Sequence, residues 1–138
     1  MGSYFDRVEL EEVPLLCLRE RGDPGEVAEM APRMWRELES RLPSLKGRKM
    51  YGLLWPRQGE YAACTTVLEG DDALGLEPET LSGGVFLRAR LRGDPPKVYA
   101  RIGPTFDELV QAGNPDQTRP SVEFYRRHDT IDLLLPVE

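Results

Sequence analysis

The chain has 138 residues, the size of one domain with one hydrophobic core. Its 18 basic and 24 acidic residues give a net charge of -6 without a basic stripe, which argues against direct binding to nucleic acid. One histidine and two cysteines are too few for a zinc site, so we expect no metal and no cofactor.

The start of the chain lacks the apolar segment of a secretory signal, and no stretch approaches the length of a membrane span. We therefore expect a cytoplasmic protein. Cys17 and Cys64 lie in apolar surroundings, far apart in sequence. The simplest interpretation is two buried, reduced thiols, although a disulfide between them stays open.

The tetrapeptide Arg-Gly-Asp-Pro occurs twice, at 21–24 and at 92–95, which is an offset of 71 positions. Further pairs match at the same offset without a gap: Leu16 and Leu87, Arg19 and Arg90, Val27 and Val98, Trp35 and Phe106, Glu37 and Glu108, Leu38 and Leu109. A shared offset indicates an internal duplication. We expect one domain over 1–138, with repeat one at about 8–69, a linker at about 70–82 and repeat two at about 83–138.

In chain order, "VELEEVP" alternates as a leading strand would, and "PLLCLRE" predicts a strand that ends at the first Asp-Pro turn. The apolar spacing of "MAPRMWRELESRL" predicts a helix. Proline inside a helix costs about 3 kcal/mol, so we expect the helix to begin near Pro32. "KMYGLLWP" and "YAACTTVLE" then predict two further strands.

The second copy repeats this order. "GVFLRARL" predicts a strand, "IGPTFDELVQAG" a helix that begins near Pro104, and "SVEFYRR" and "TIDLLLPVE" two strands. The predicted fold is therefore α+β, made of tandem β-α-β-β units with pseudo-two-fold symmetry. Its mostly antiparallel sheet carries two helices on one face, with a ligand groove between the halves.

Glu123 is the main candidate for a functional residue. If Val122 and Phe124 face the helices, strand alternation places Glu123 on the face that the helices leave open. A carboxylate among aromatic side chains could hold a cation, or act as a general acid or base once burial raises its pKa. The plain alternative is a solvated glutamate on a strand.

The order of motifs resembles the gyrase-inhibitor-like effector-binding domain, which also occurs fused to bacterial AraC-type and MerR-type transcription regulators. The matching segments are "RERGDP", "GEYAACTTV", "LSGGVFLRARLRG" and "PSVEFYRRHDTIDLLLPVE", and they extend over about Val8 to Glu138. The chain departs from the common pattern at "DPGE" and "DPPK", which follow the strand of each repeat.

The resemblance implies a protein that binds hydrophobic, cationic aromatic compounds in a central groove, for sensing or sequestration. By motif position Glu123 is the polar anchor, and we expect Tyr125, Tyr61, Trp55 and Tyr99 to form the aromatic walls. Two alternatives follow from the same family: a hydrolase of cyclopropane-bearing toxins with Glu123 as general base, and a module that binds a protein such as gyrase. We expect a small-molecule partner, and neither nucleic acid nor membrane; a protein partner or a homodimer stays open.

Overall fold

The computed structural model describes residues 5–138 as eight strands and two α-helices, with three short 3-10 segments between them. The elements are β1 (Asp6–Leu10), β2 (Val13–Arg21), α1 (Val27–Arg41), β3 (Met50–Trp55), β4 (Glu60–Thr66), β5 (Glu77–Leu81), β6 (Gly84–Arg92), α2 (Ile102–Ala112), β7 (Ser121–Arg127) and β8 (Thr130–Pro136). Neither helix is long and apolar enough to cross a membrane.

All eight strands form one antiparallel sheet in the order β1-β6-β8-β7-β3-β4-β2-β5. The predicted α+β class is confirmed. The tandem duplication is also visible in the strand bounds, because β1, β2 and β3 begin 71 positions before β5, β6 and β7. β5 lies inside the segment 70–82, which the sequence pattern predicts to be a linker, and it is the counterpart of β1.

The two edge strands are exchanged between the halves. β1 precedes β2 in the chain but pairs with β6 of the second half. β5 precedes β6 but pairs with β2 of the first half. Each half of the sheet is therefore completed by a strand of the other half.

The predicted start of the first helix is wrong, whereas that of the second is nearly right. α1 begins at Val27 and contains Pro32, and α2 begins at Ile102 with Pro104 at its third position. A proline in the first turn removes no intrahelical hydrogen bond, but Pro32 lies beyond that turn. The turn before Pro32 also buries apolar surface, since Met30 packs against the cluster of Met34 and Leu38. That burial offsets the cost of the proline.

Both helices pack on the same face of the sheet. Met34 and Leu38 of α1 pack against β4, while Phe106 and Leu109 of α2 pack against β8. The helix-free face has a core of its own. Leu15 of β2 and Phe86 of β6 belong to one cluster there, although four strands separate β2 from β6 in the sheet. The sheet therefore curls and buries apolar side chains on both faces.

The interpretation of Cys17 and Cys64 as reduced thiols is wrong. The two residues lie directly opposite each other on β2 and β4, with their Cα atoms 4.2 Å apart, and they form a disulfide. Opposed residues of an antiparallel pair point to the same face, so the strand register brings the sulfur atoms together. Their separation of 47 positions in sequence concealed this contact.

Candidate functional site

Glu123 lies at the centre of the sheet, where the two halves meet. It is on β7, directly opposite Gly52 of β3. These two residues are 71 positions apart, so the duplication relates them to each other and the pseudo-two-fold axis passes between them. The structure thus places a glutamate on one side of the axis and a glycine on the other.

Glu123 faces the helices, and the predicted orientation of its strand is wrong. Val122 and Phe124 belong to the cluster on the helix-free face, while Tyr125 packs with the cluster beneath α2. The prediction assumed that only the helices bury apolar side chains. Because the curled sheet buries its other face as well, the apolar residues of β7 take that face. Glu123 then points between α1 and α2.

Two tyrosine hydroxyls hold the Glu123 carboxylate. Tyr61 Oη donates to Oε1 at 2.6 Å, and Tyr125 Oη donates to the same oxygen at 2.8 Å. Trp35 Nε1–H of α1 donates in turn to Tyr61 Oη at 2.9 Å. Within residues 5–138, Oε2 accepts no hydrogen bond, so one carboxylate oxygen has no protein donor.

Gly52 leaves the space that this network needs. A Cβ atom at position 52 would collide with Tyr61 Oη and Glu123 Oε1. Glycine is required here because of this close approach. The glycine of one repeat therefore makes room for the glutamate of the other.

Burial sets the protonation properties of the site. Glu123 is only 7% exposed, and the loss of water raises its pKa although the two hydroxyls oppose this shift. Burial also raises the pKa of Tyr61 and of Tyr125 well above the ordinary tyrosine value, and the nearby Glu123 charge adds to both shifts. Both phenols therefore stay protonated and remain hydrogen-bond donors at neutral pH.

Aromatic rings surround the carboxylate. The Trp35 ring meets the Tyr125 ring edge to face, with centroids 5.2 Å apart. Tyr99, which is 46% exposed, lies beyond Tyr125 with ring centroids 6.5 Å apart. The structure thus brings Glu123, Tyr61 and Tyr125 together, with Tyr99 at the rim.

Trp55 does not belong to this group. Its strand neighbours place it on the helix-free face, where it joins the cluster of Leu15 and Leu53. The guanidinium of Arg19 lies 4.0 Å from its ring centroid. Strand alternation predicts this placement, because Trp55 and Gly52 are an odd number of positions apart on β3 and therefore face opposite sides of the sheet.

Trp35 is the site residue that the sequence pattern did not single out, because its helical spacing indicates a core position. Its predicted counterpart, Phe106, does pack as a core residue. The signal that distinguishes them is the indole N–H, which needs an acceptor when it is buried.

A second buried carboxylate shows what Glu123 lacks. Asp132 lies on the helix-free face with a side chain only 3% exposed, and it pairs with Arg90 at 2.6 Å and Arg126 at 3.3 Å. No arginine or lysine of residues 5–138 forms an ion pair with Glu123. Nor do the described residues contain a group of three potential metal ligands around it. Glu123 is a buried acid without a cation.

Comparisons with known proteins identify the fold. No family model matches the chain, and no curated protein matches it by sequence. Among solved structures, an integron cassette protein from the mobile metagenome of Vibrio cholerae superposes with a TM-score of 0.79 at 15% identity, over 97% of this chain and 95% of that one.

Two further structures are informative. SAV2435 bound to tetraphenylphosphonium has a TM-score of 0.69 at 17% identity, over 97% of this chain and 93% of its own. The EcmrR C-terminal domain has a TM-score of 0.63 at 13% identity, over 100% and 99%. At these identities the likeness concerns the fold alone, and it supports the gyrase-inhibitor-like effector-domain fold that the sequence motifs predict.

Proposed function

We propose that this protein binds lipophilic, cationic aromatic molecules between α1 and α2, with Glu123 as the anionic anchor. The observation that carries the proposal is the buried carboxylate without a counter-cation, enclosed by aromatic rings. A buried charge is costly unless it is paired, and a bound cation would supply the missing partner.

The surrounding rings favour the same class of ligand. The faces of tryptophan and tyrosine rings attract cations, and this attraction is strongest where water is excluded. Tyr125 contacts Glu123 directly, and the rings of Trp35 and Tyr99 both lie against Tyr125. The tetraphenylphosphonium bound to SAV2435, a chain of the same fold, has this chemistry and is the natural first probe.

The ligand would enter beside Trp35. This side chain lies over Tyr61 and Tyr125 and is only half-buried. Displacement of the indole would break one hydrogen bond to a tyrosine and leave the two tyrosine bonds to Glu123 intact. Oε2, which has no protein donor, would then lie next to the ligand's positive charge.

Tryptophan fluorescence tests this proposal directly. In a Trp55→Phe background, Trp35 is the remaining tryptophan, and titration with tetraphenylphosphonium should change its emission with saturation. Glu123→Gln should weaken binding by about tenfold or more, because a charge-assisted contact is worth roughly 1.5–3 kcal/mol. Triphenylphosphine oxide, which is neutral, should bind equally weakly to both proteins.

The matched control is Glu79→Gln, which removes one negative charge from the β5 edge, where Glu79 pairs with Arg19. This variant should bind tetraphenylphosphonium as the unmodified protein does. Equal affinity of all three proteins would show that Glu123 is not the anchor.

A second candidate function is hydrolysis of an electrophilic ligand, and the raised pKa of Glu123 together with its free oxygen favours it. Glu123 would take a proton from the attacking water. Incubation of a cyclopropane-bearing alkylating compound with catalytic amounts of protein separates the two functions. More than one mole of product per mole of protein, with this turnover lost in Glu123→Gln, would indicate an enzyme. At most one mole of product per mole of protein would indicate binding.

A further inference from the structure

The outer edge of β2 is only partly covered. β4 pairs with β2 over Leu15–Arg21, but β5, on the other side, pairs only over Val13–Cys17. Within the described residues 5–138, no strand lies on the outer side of 18–21. Four residues of β2 therefore form an open sheet edge.

The strand register identifies which backbone groups are free on that edge. The N–H of Gly22 donates to the carbonyl of Gly59 at 2.9 Å, which places the backbone groups of residue 22 on the β4 side. In an antiparallel ladder this direction alternates along the strand. The N–H and C=O groups of Arg19 and Arg21 therefore point outward, away from β4. Unpaired groups of this kind are a template for an added strand.

A groove of about 480 Å³ runs between this edge and α1, lined by Leu18, Arg19, Glu20, Arg33, Arg36, Glu37 and Arg41. Its charged residues are four arginines and two glutamates, and Arg19 is in addition paired with Glu60 and Glu79, which lie outside the lining. Arg33 pairs with Glu20, and Arg41 pairs with Glu37. Arg36 is exposed and forms no ion pair with any of residues 5–138.

We infer that this edge binds an extended, acidic peptide segment of a partner protein, which adds a strand to β2. The backbone of the peptide would pair with Arg19 and Arg21, and its carboxylates would meet Arg36. Strand addition supplies affinity through main-chain hydrogen bonds, and the charged rim supplies specificity. The inference is independent of the function proposed for Glu123.

The equivalent edge of the second half differs in its side chains. β1 covers β6 over 84–88, and within residues 5–138 no strand lies on the outer side of 89–92. The carbonyl of Arg92 is nevertheless occupied, because Arg101 Nη1 donates to it at 2.9 Å. There, α2 carries Asp107 and Glu108 at the positions equivalent to Arg36 and Glu37. An acidic segment would be repelled by this pair, so we expect one binding edge in the molecule.

Hydrogen exchange and amide chemical shifts of ¹⁵N-labelled full-length protein provide the test, with a blocked heptapeptide of alternating valine and glutamate as the probe. In the free protein, the amides of Arg19 and Arg21 should exchange faster than those of Leu18 and Glu20. The peptide should shift and protect the amides of Arg19 and Arg21. Lack of binding at millimolar peptide, or shifts confined to other strands, would overturn the inference.

Two controls separate strand addition from simple charge attraction. A peptide that is N-methylated at alternate residues keeps its charge but loses the backbone N–H donors of one strand edge. It should bind about tenfold more weakly. Arg36→Glu should weaken binding about fivefold or more, while Arg57→Glu, at an exposed arginine of the β3–β4 turn, should not. Equal binding of the methylated peptide, or equal effects of the two substitutions, would contradict the inference.

Discussion

The two halves of the molecule share the order and spacing of their strands, yet they differ where they meet. The counterpart of Glu123 is Gly52, and the strand registers make Ile131 the counterpart of Tyr61. Each half supplies what the other lacks: the first half supplies space and one hydroxyl, the second half the carboxylate. The duplication therefore builds the scaffold, whereas divergence between the two copies builds the site.

The largest expected loss of stability concerns the disulfide, which only the first half contains. The counterparts of Cys17 and Cys64 are Arg88 and Leu134, which also lie opposite each other. A disulfide that closes a loop of this length stabilises a protein by about 2–4 kcal/mol. We expect reduction by dithiothreitol to lower the urea midpoint of unfolding accordingly.

The double variant Cys17→Ala/Cys64→Ala is the control, because it should have the lowered midpoint with or without reductant. An identical midpoint of the unmodified protein under oxidising and reducing conditions would contradict this role of the disulfide.

The second test changes the glycine that faces Glu123. Gly52→Ala should destabilise the protein by about 1–3 kcal/mol, because the new methyl group collides with Tyr61 Oη and Glu123 Oε1. Urea unfolding measures the loss. Removal of the hydroxyl in Gly52→Ala/Tyr61→Phe should recover part of it. Gly103→Ala, where no atom lies within 4 Å of the added Cβ in α2, should be neutral or stabilising.

The smallest expected effect is a dependence on pH. Burial raises the pKa of Glu123 above its ordinary value of 4.5, so the folded state holds this proton more tightly than the unfolded state does. The contribution of this proton to the free energy of unfolding is fully present below about pH 4.5, and it is lost as the pH rises through the raised pKa of Glu123. Glu123→Gln stays neutral at every pH.

We therefore expect Glu123→Gln to match the stability of the unmodified protein near pH 4 and to exceed it near pH 8, where the buried carboxylate of Glu123 carries its charge. Urea midpoints across this range measure the difference, with Glu39→Gln, at an exposed position of α1, as a control for the lost charge. A difference that shrinks as the pH rises would contradict the raised pKa.

Much of the fold could be predicted from sequence because the matching residues of the two copies are separated by one constant offset. The matched tetrapeptides at 21–24 and 92–95 establish the offset, and the first three strands of each half follow it, whereas β8 begins 70 positions after β4. The exchange of β1 and β5 could not be predicted, because both strands are short and their partners are distant in sequence.

The candidate site was predictable in part. The family pattern and the asymmetry with Gly52 both point to Glu123, but the orientation of its strand follows from the curl of the sheet, which no local pattern encodes. Trp55, which we expect from the sequence to be an aromatic wall of the site, lies on the other face of the sheet. The disulfide depends on a register between β2 and β4 that only the folded sheet defines.

The exchange of edge strands has a consequence for how the protein folds. Since β1 completes the second half and β5 completes the first, neither half can fold to its final form before the other has supplied a strand. Unfolding of one half removes an outer strand from the other, so we expect the two copies to unfold in one cooperative transition. A gene fragment that encodes one repeat would yield a chain with an uncovered strand, and two such fragments would complement each other as a dimer.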